Sequence, residues 1–185
     1  MIIIGITGTL GAGKGTIVDY LKNKGFAHYS VRGFLLGEIR KKGMPENRDS
    51  MVVVANGLRA NNSPSFITDQ LYLQALELGK DAVIESIRTP GEIDSLRRKG
   101  NFYLFAVDAD PKKRFDRIKM RKSETDNIDF KTFLENEKRE MSSDDPNKQN
   151  LAKCREMADF IFWNNKEIED LNREVKEVLD KKIKK

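Results

Sequence analysis

The chain has 185 residues, enough for about one domain with a real core. Apolar residues make up 38% and charged residues 34%, and no apolar run nears the roughly 20 residues a membrane span needs, so a membrane-spanning helix is not expected. One cysteine, Cys154, and one histidine, His28, exclude a disulfide framework, a cysteine zinc cluster and any catalysis that needs two histidines. The 34 basic against 29 acidic residues leave a net charge of +5, which favours anionic partners. The basic residues are spread among acids, apart from the lysine-rich tail 181–185, and no basic face carries interleaved aromatics, which argues against nucleic acid as the partner. With no basic lead or cleavage site at the start, a reducing, cytoplasmic compartment is expected.

In chain order, residues 1–6 read as a short buried strand, continuous and β-branched. Residues 8–15 are too rich in glycine for a helix interior. Residues 14–24 predict a helix stopped by Gly25, 26–30 a second strand, and 32–42 a helix stopped by Gly43. A helix over 49–59 carries a stripe of Met51, Val52, Ala55 and Leu58, and Pro64 opens another that runs to about Leu78. Strands are predicted at 81–85, 102–107 and 160–163, and helices after Pro90 and Pro111, over 129–141, over 148–157 and from Ile168 onward. Strands that alternate with helices in this way predict an open parallel α/β sheet with helices on both faces, which binds ligands beyond the carboxyl ends of its strands. The polar stretches 123–129 and 142–149 bracket a segment that could move.

The sharpest signal is Gly8-Thr9-Leu10-Gly11-Ala12-Gly13-Lys14-Gly15-Thr16, set between a buried strand and a helix. Glycines let the backbone curl so that several N–H groups face one concavity, and the helix N-terminus adds partial positive charge. Gly8, Thr9, Gly11, Ala12, Gly13 and Gly15 would then cradle a nucleotide's phosphates, Lys14 would reach the β- and γ-phosphates, and a hydroxyl beyond it would hold Mg²⁺. The strict pattern has Ser or Thr directly after the lysine; here Gly15 stands there and Thr16 follows.

That Gly-Lys-Gly-Thr form resembles the nucleoside monophosphate kinases, the adenylate kinase type in particular, within the P-loop superfamily. Tyr29 to Arg32, Glu85 to Glu92 and the pair Arg117 and Arg121 resemble segments of the same kinases, Ala158 to Asn164 is similar to the ending of the dephospho-coenzyme A kinases and the deoxynucleotide monophosphate kinase-like proteins, and Ile87 to Glu92 with Arg139-Glu140 is most similar to the last group. The resemblance implies a three-layer α-β-α sandwich with five parallel strands in the order 2-3-1-4-5. It also implies an acceptor-binding helical region at about 31–78 and a short helical lid at about 121–148. ATP and Mg²⁺ are the implied cofactors and small nucleotides the partners, with the chain a monomer or homodimer.

The resemblance further implies roles for single residues. Lys14, Arg88, Arg117, Arg121 and Glu85 would be catalytic, with Thr16 and Glu85 at the metal. Arg117 and Asn164 would touch the nucleotide, and Ser30, Arg32, Arg59 and Arg88 the acceptor. Each has a plainer reading: Arg32, Arg48 and Arg59 as solvated arginines, Glu85 as a strand cap, Arg117 and Arg121 as an exposed pair on one helix face, Asn164 as a helix cap. Arg139 could enter as a finger on the transferred group. Asp110 reads as a helix cap, His28 as structural, Trp163 as core or base-edge packing, and Cys154 as inert. Glu85 stands where the family has aspartate, and Ser30-Val31-Arg32 replaces an aspartate pair of the dephospho-coenzyme A kinases, which counts against that acceptor. The alternatives are a kinase of dephospho-coenzyme A or another small alcohol, an ATP-binding regulator without turnover, and a nucleic-acid 5′-kinase. A GTP switch is disfavoured, because Asn165-Lys166-Glu167-Ile168 lacks the guanine-reading aspartate.

Overall fold

The computed structural model describes residues 1–121 and 128–183. The expected lid and the polar stretch 123–129 therefore fall partly outside the described residues, as do the last two lysines of the tail.

The first strand, β1 (Ile3–Gly8), is central. It pairs in parallel with β3 (Ala82–Glu85) on one side and β4 (Phe102–Asp108) on the other. β2 (Ala27–Ser30) and β5 (Phe160–Trp163) complete the edges, giving the order β2-β3-β1-β4-β5 that the resemblance implies. Side chains alternate across the sheet with a period of two. Ile3 and Leu104 enter one core, beneath α2 (Val31–Lys41), α3 (Arg48–Asn61), α4 (Phe66–Leu78) and α5 (Pro90–Arg98). Ile4, Ile6, Phe105 and Val107 enter the other, beneath α1 (Lys14–Asn23) and α9 (Ile168–Val178). A sheet covered on both faces reads as continuous apolar runs, which is why β1 and β4 were visible in the sequence. Each such Ile or Leu contributes about 1.5–3 kcal/mol by leaving water.

Where element ends differ from expectation, the hydrogen bonds say why. Phe26 N–H bonds to Leu21 O and closes α1, so β2 begins one residue later. The chain turns through Pro64, with Phe66 N–H donating to Ser63 O, so α4 begins at Phe66. Asn150 Oδ1 accepts from Lys153 N at 3.0 Å, which sets the start of α8 (Leu151–Glu156) after Lys148. On α3 the deeply buried positions are Val54, Ala55 and Arg59, while Met51 and Val52 are half-buried. α6 (Pro111–Arg121) starts behind Asp110, whose Oδ1 accepts from Lys112 N at 2.9 Å, the cap expected of it. α7 (Phe130–Met141) packs Phe133 against Phe115 of α6. Trp163 is not core: it is 58% exposed, because alternation on the edge strand β5 turns Phe162 inward instead.

Parallel pairing brings Gly8, Glu85 and Asp108, the last residues of β1, β3 and β4, to the carboxyl end of the sheet. Among the described residues no helix is long and apolar enough to cross a membrane.

Candidate active site

The glycine-rich loop leaves β1 at Gly8 and enters α1 at Lys14. Gly13 is the residue before the helix, with φ +110°, a left-handed conformation that disfavours any side chain. No side chain caps α1, so its first amides stay open to an anion. A Cβ at Gly13 would also lie 2.2 Å from Asn164 Nδ2. Gly15 differs: a Cβ there meets open space, so packing does not forbid the hydroxyl of the strict motif at that position.

Lys14 folds back over the loop, its Nζ donating to Gly8 O and Thr9 O, each at 2.8 Å. Burial, with the Arg88 charge second, pulls the ammonium down from an ordinary 10.5 to about 7. Three later segments brace the loop from behind. Asp108, at the end of β4, accepts from Thr9 Oγ1 at 2.8 Å and from Arg155 Nη1 at 2.9 Å, with Arg114 Nε at 3.4 Å. Asn164 Nδ2 donates to Ala12 O at 2.8 Å. Arg117 Nη2 donates to Asn164 O at 2.9 Å.

In front of the loop lies a cleft of about 410 Å³. Gly11, Gly13, Lys14 and Gly15 form one wall, and Arg32, Arg48, Glu85, Arg88 and Arg121 supply charges around it. Val31, Leu35, Met51, Val52 and Ala55 give it an apolar side. Glu85 Oε2 lies 3.2 Å from His28 Nε2. Burial would push the Glu85 carboxyl up, but the His28 hydrogen bond and the Lys14 charge outweigh it and hold the carboxyl below its ordinary value. Directly after it, Ser86 has φ +74°, the single positive value outside glycine among the described residues, and both Ser86 N and Ile87 N donate to Ile6 O. That bend ends β3 and carries the chain to Arg88.

The remaining expected residues fall in several places. Ser30 caps α2, its Oγ accepting from Gly33 N at 3.1 Å. Thr16 is half-buried in the first turn of α1. Arg59 is no solvated arginine: it is 1% exposed, and its Nη2 lies 2.8 Å from Glu92 Oε1. Arg117 and Arg121 do not converge as a pair, since Asn164 O holds Arg117 while Arg121 faces the cleft. Asn164 does not cap α9, whose preceding residue is Glu167. Arg139 is half-exposed, its Nη2 lies 3.6 Å from Asp49 Oδ1, and it is not among the residues that line the cleft. Cys154 is buried, chiefly by which its thiol is pushed up to about 12, so it holds its proton.

Some residues at this site carry no role in the sequence reading, among them Gln149, which accepts from Arg88, and two carboxylates. Asp108 is one. Glu140 is the other, a buried carboxylate on α7 that accepts from Arg48 and Arg88. A signal for it was present: Phe130, Phe133, Glu137 and Glu140 are spaced three, four and three, which sets both carboxylates on the apolar face of the helix.

Residues 4–143 match the model of the AAA domain family. The chain belongs to that family. It is similar to the UPF0200 protein MJ1399 of Methanocaldococcus jannaschii, 26% identical over 182 residues that cover 97% of this chain and 89% of that protein. The UPF0200 protein TK1334 of Thermococcus kodakarensis is 27% identical over 191 residues and covers both chains fully. In fold it is similar to TT1252 from Thermus thermophilus, with a TM-score of 0.63 and 21% identity over 98% of this chain and 97% of that one. A shikimate kinase from Bacteroides thetaiotaomicron gives a TM-score of 0.59 at 14% identity, over 97% and 98% of the two chains. A gluconokinase from Sinorhizobium meliloti 1021 gives 0.59 at 11%, over 99% and 94%. With the strand order, these likenesses show that this AAA-domain chain shares the fold of those two kinases.

Proposed function

We propose that this protein is an ATP- and Mg²⁺-dependent phosphotransferase that moves the γ-phosphoryl of ATP to a nucleoside or deoxynucleoside monophosphate. The observation that carries this reading is the convergence of the loop lysine with Arg32, Arg48, Arg88 and Arg121 on one cleft that has an apolar side. An acceptor with an anionic end and a flat, apolar body matches such walls.

The residues present suit the two cofactors. The open amides of α1 and the loop amides from Gly8 to Gly15 suit a triphosphate, and Lys14 would exchange the carbonyls of Gly8 and Thr9 for its oxygens. Arg117 and Asn164, behind the loop, would flank the nucleotide. Mg²⁺ keeps most of its shell as water and phosphate oxygen, so Thr16 and Glu85 would be the residues to hold it, and it would neutralise charge on the phosphates. Phosphoryl transfer is mostly positioning and electrostatics. Lys14, Arg88 and Arg121 would meet the developing charge, and Arg32 and Arg88 would grip the acceptor phosphate, with Ser30 and Arg59 shaping its surroundings. The helices between 31 and 78 and the lid at about 121–148 would close over both substrates and exclude water.

A second reading, a small alcohol acceptor such as dephospho-coenzyme A, is favoured by one feature. Glu85 is held ionised beside Lys14, where a carboxylate could take a hydroxyl proton. The test is a coupled ADP-release assay over ribo- and deoxynucleoside monophosphates, dephospho-coenzyme A and simple sugars or polyols. Turnover with a monophosphate is expected. Turnover with alcohols alone selects the second reading, and nucleotide binding without any acceptor-stimulated turnover makes the protein an ATP-binding regulator.

A further inference from the structure

The carboxylates on the apolar face of α7 need partners, because a buried unpaired charge is very costly. Glu137 pairs with Arg114. Glu140, only 4% exposed, lies between two arginines from separate elements. Its Oε1 accepts from Arg48 Nη2 of α3 at 2.5 Å, and its Oε2 from Arg88 Nη1, beyond β3, at 2.7 Å.

Arg88 is fixed from several sides. Nη1 also donates to Gln149 Oε1 at 2.5 Å, the backbone N donates to Glu92 Oε2 at 2.7 Å, and the carbonyl accepts from Asn150 N at 2.9 Å. Its Nε and Nη2 make no hydrogen bond among the described residues, and the side chain lines the cleft. One nitrogen of Arg88 is thus anchored while the rest of its donor fork is left for a ligand. The arrangement is that of a guanidinium held ready rather than one already consumed.

We propose that Glu140 is a positioning residue that sets Arg48 and Arg88 as a two-arginine seat for the anionic group of the acceptor, a role that rests on the phosphotransferase reading above. Two effects oppose each other. The carboxylate repels an incoming phosphate, yet without it two mostly buried guanidinium groups lose their shared counter-charge, repel each other and swing toward water. Held donors need no reorganisation when the anion arrives, and the second effect wins when both of the carboxylate's oxygens are engaged, as they are here.

The test compares acceptor and ATP kinetics in wild type, Glu140→Gln and Glu140→Asp, with Arg88→Lys as a background. In Glu140→Gln the acceptor KM should rise about tenfold or more, the scale of one lost charge-assisted hydrogen bond. The KM for ATP should change less than the acceptor KM, since both hydrogen bonds of Glu140 go to the arginines and only its charge reaches Lys14. In Arg88→Lys, Glu140→Gln should add less than it does in wild type, because one of the two arginines it acts through is gone. Glu140→Asp keeps the charge but shortens the reach, so a smaller rise is expected with thermal stability retained, and it stands in should Glu140→Gln not fold. A fall in acceptor KM would show that Glu140 plugs the seat; equal shifts in both KM values, or an undiminished effect in Arg88→Lys, would show a merely structural part. Each of those overturns the proposal. If wild type phosphorylates no acceptor, the phosphotransferase reading fails by itself, and calorimetry with inorganic phosphate decides the role of Glu140. Weaker phosphate binding in Glu140→Gln supports it; unchanged or tighter binding, or none to wild type, refutes it.

Discussion

Lys14 should take up a proton when a nucleotide binds. Unliganded, its ammonium sits among backbone carbonyls with Arg88 nearby, and burial first, then that charge, brings it to about 7. A triphosphate in the loop would surround the same nitrogen with negative oxygens and restore the protonated form. At pH 8 a group titrating near 7 is about nine-tenths neutral, so binding should draw close to one proton from the buffer, and at pH 6 only about one-tenth. Calorimetry of a non-hydrolysable ATP analogue with Mg²⁺, in two buffers of different ionisation enthalpy, reads this number directly. The nucleotide's own phosphates are already ionised at pH 8 and do not contribute. The same shift has a stability consequence. The folded value lies below the unfolded one, so the unfolded chain binds the extra proton between about 7 and 10.5. Stability gains from this group as pH rises through that window, and its full penalty is present below it. No uptake at pH 8, or the same uptake in Lys14→Met, would refute the reasoning.

Other expectations follow from single contacts. Lys14→Ala should cut turnover on the order of 10²-fold or more, as for any preorganised charge facing the transition state, and near-wild-type rates would count against the mechanism. Gly13→Ala forces a Cβ into a left-handed position 2.2 Å from Asn164 Nδ2; a loss of about 1–3 kcal/mol in denaturant titration and of nucleotide affinity in calorimetry is expected. Arg59→Met strands Glu92, which is fully buried, and should cost about 3–5 kcal/mol by chemical denaturation. Adding Glu92→Gln should recover part of that loss. A cost under about 1 kcal/mol, the scale of an exposed pair, would mean that water reaches the site.

What could be read from the sequence was what is local. β1, the glycine loop and α1 lie within consecutive residues, and the apolar run of β4 needs no partner to be recognised. Pro90 at the start of α5, with Thr89 and Glu92 capping reciprocally, is equally local. The ion pairs were not legible, because their partners are remote in the chain. Arg59 reaches Glu92 on another helix, Arg48 reaches Glu140 across 92 positions, and Thr9 reaches Asp108 across 99. An arginine on an amphipathic helix looks solvated until the element that covers it is known, which is why Arg59 reads as solvated although it is buried against Glu92 at the wall of the cleft. Glu140 is the instructive miss, since a carboxylate in register with Phe133 already announced a buried charge in want of cations.

The family model ends at residue 143, but the shape of the phosphate seat does not. Arg155 secures the carboxylate that tethers Thr9, and Asn164, just beyond β5, ties down Ala12. A fragment cut after α7 would keep every letter of the motif and lose two of the struts behind it. Matching the nine-residue signature therefore identifies where phosphate would sit, whereas how firmly it is held is written in the last thirty-odd residues, so loop-grafting that ignores them should yield a slack binder.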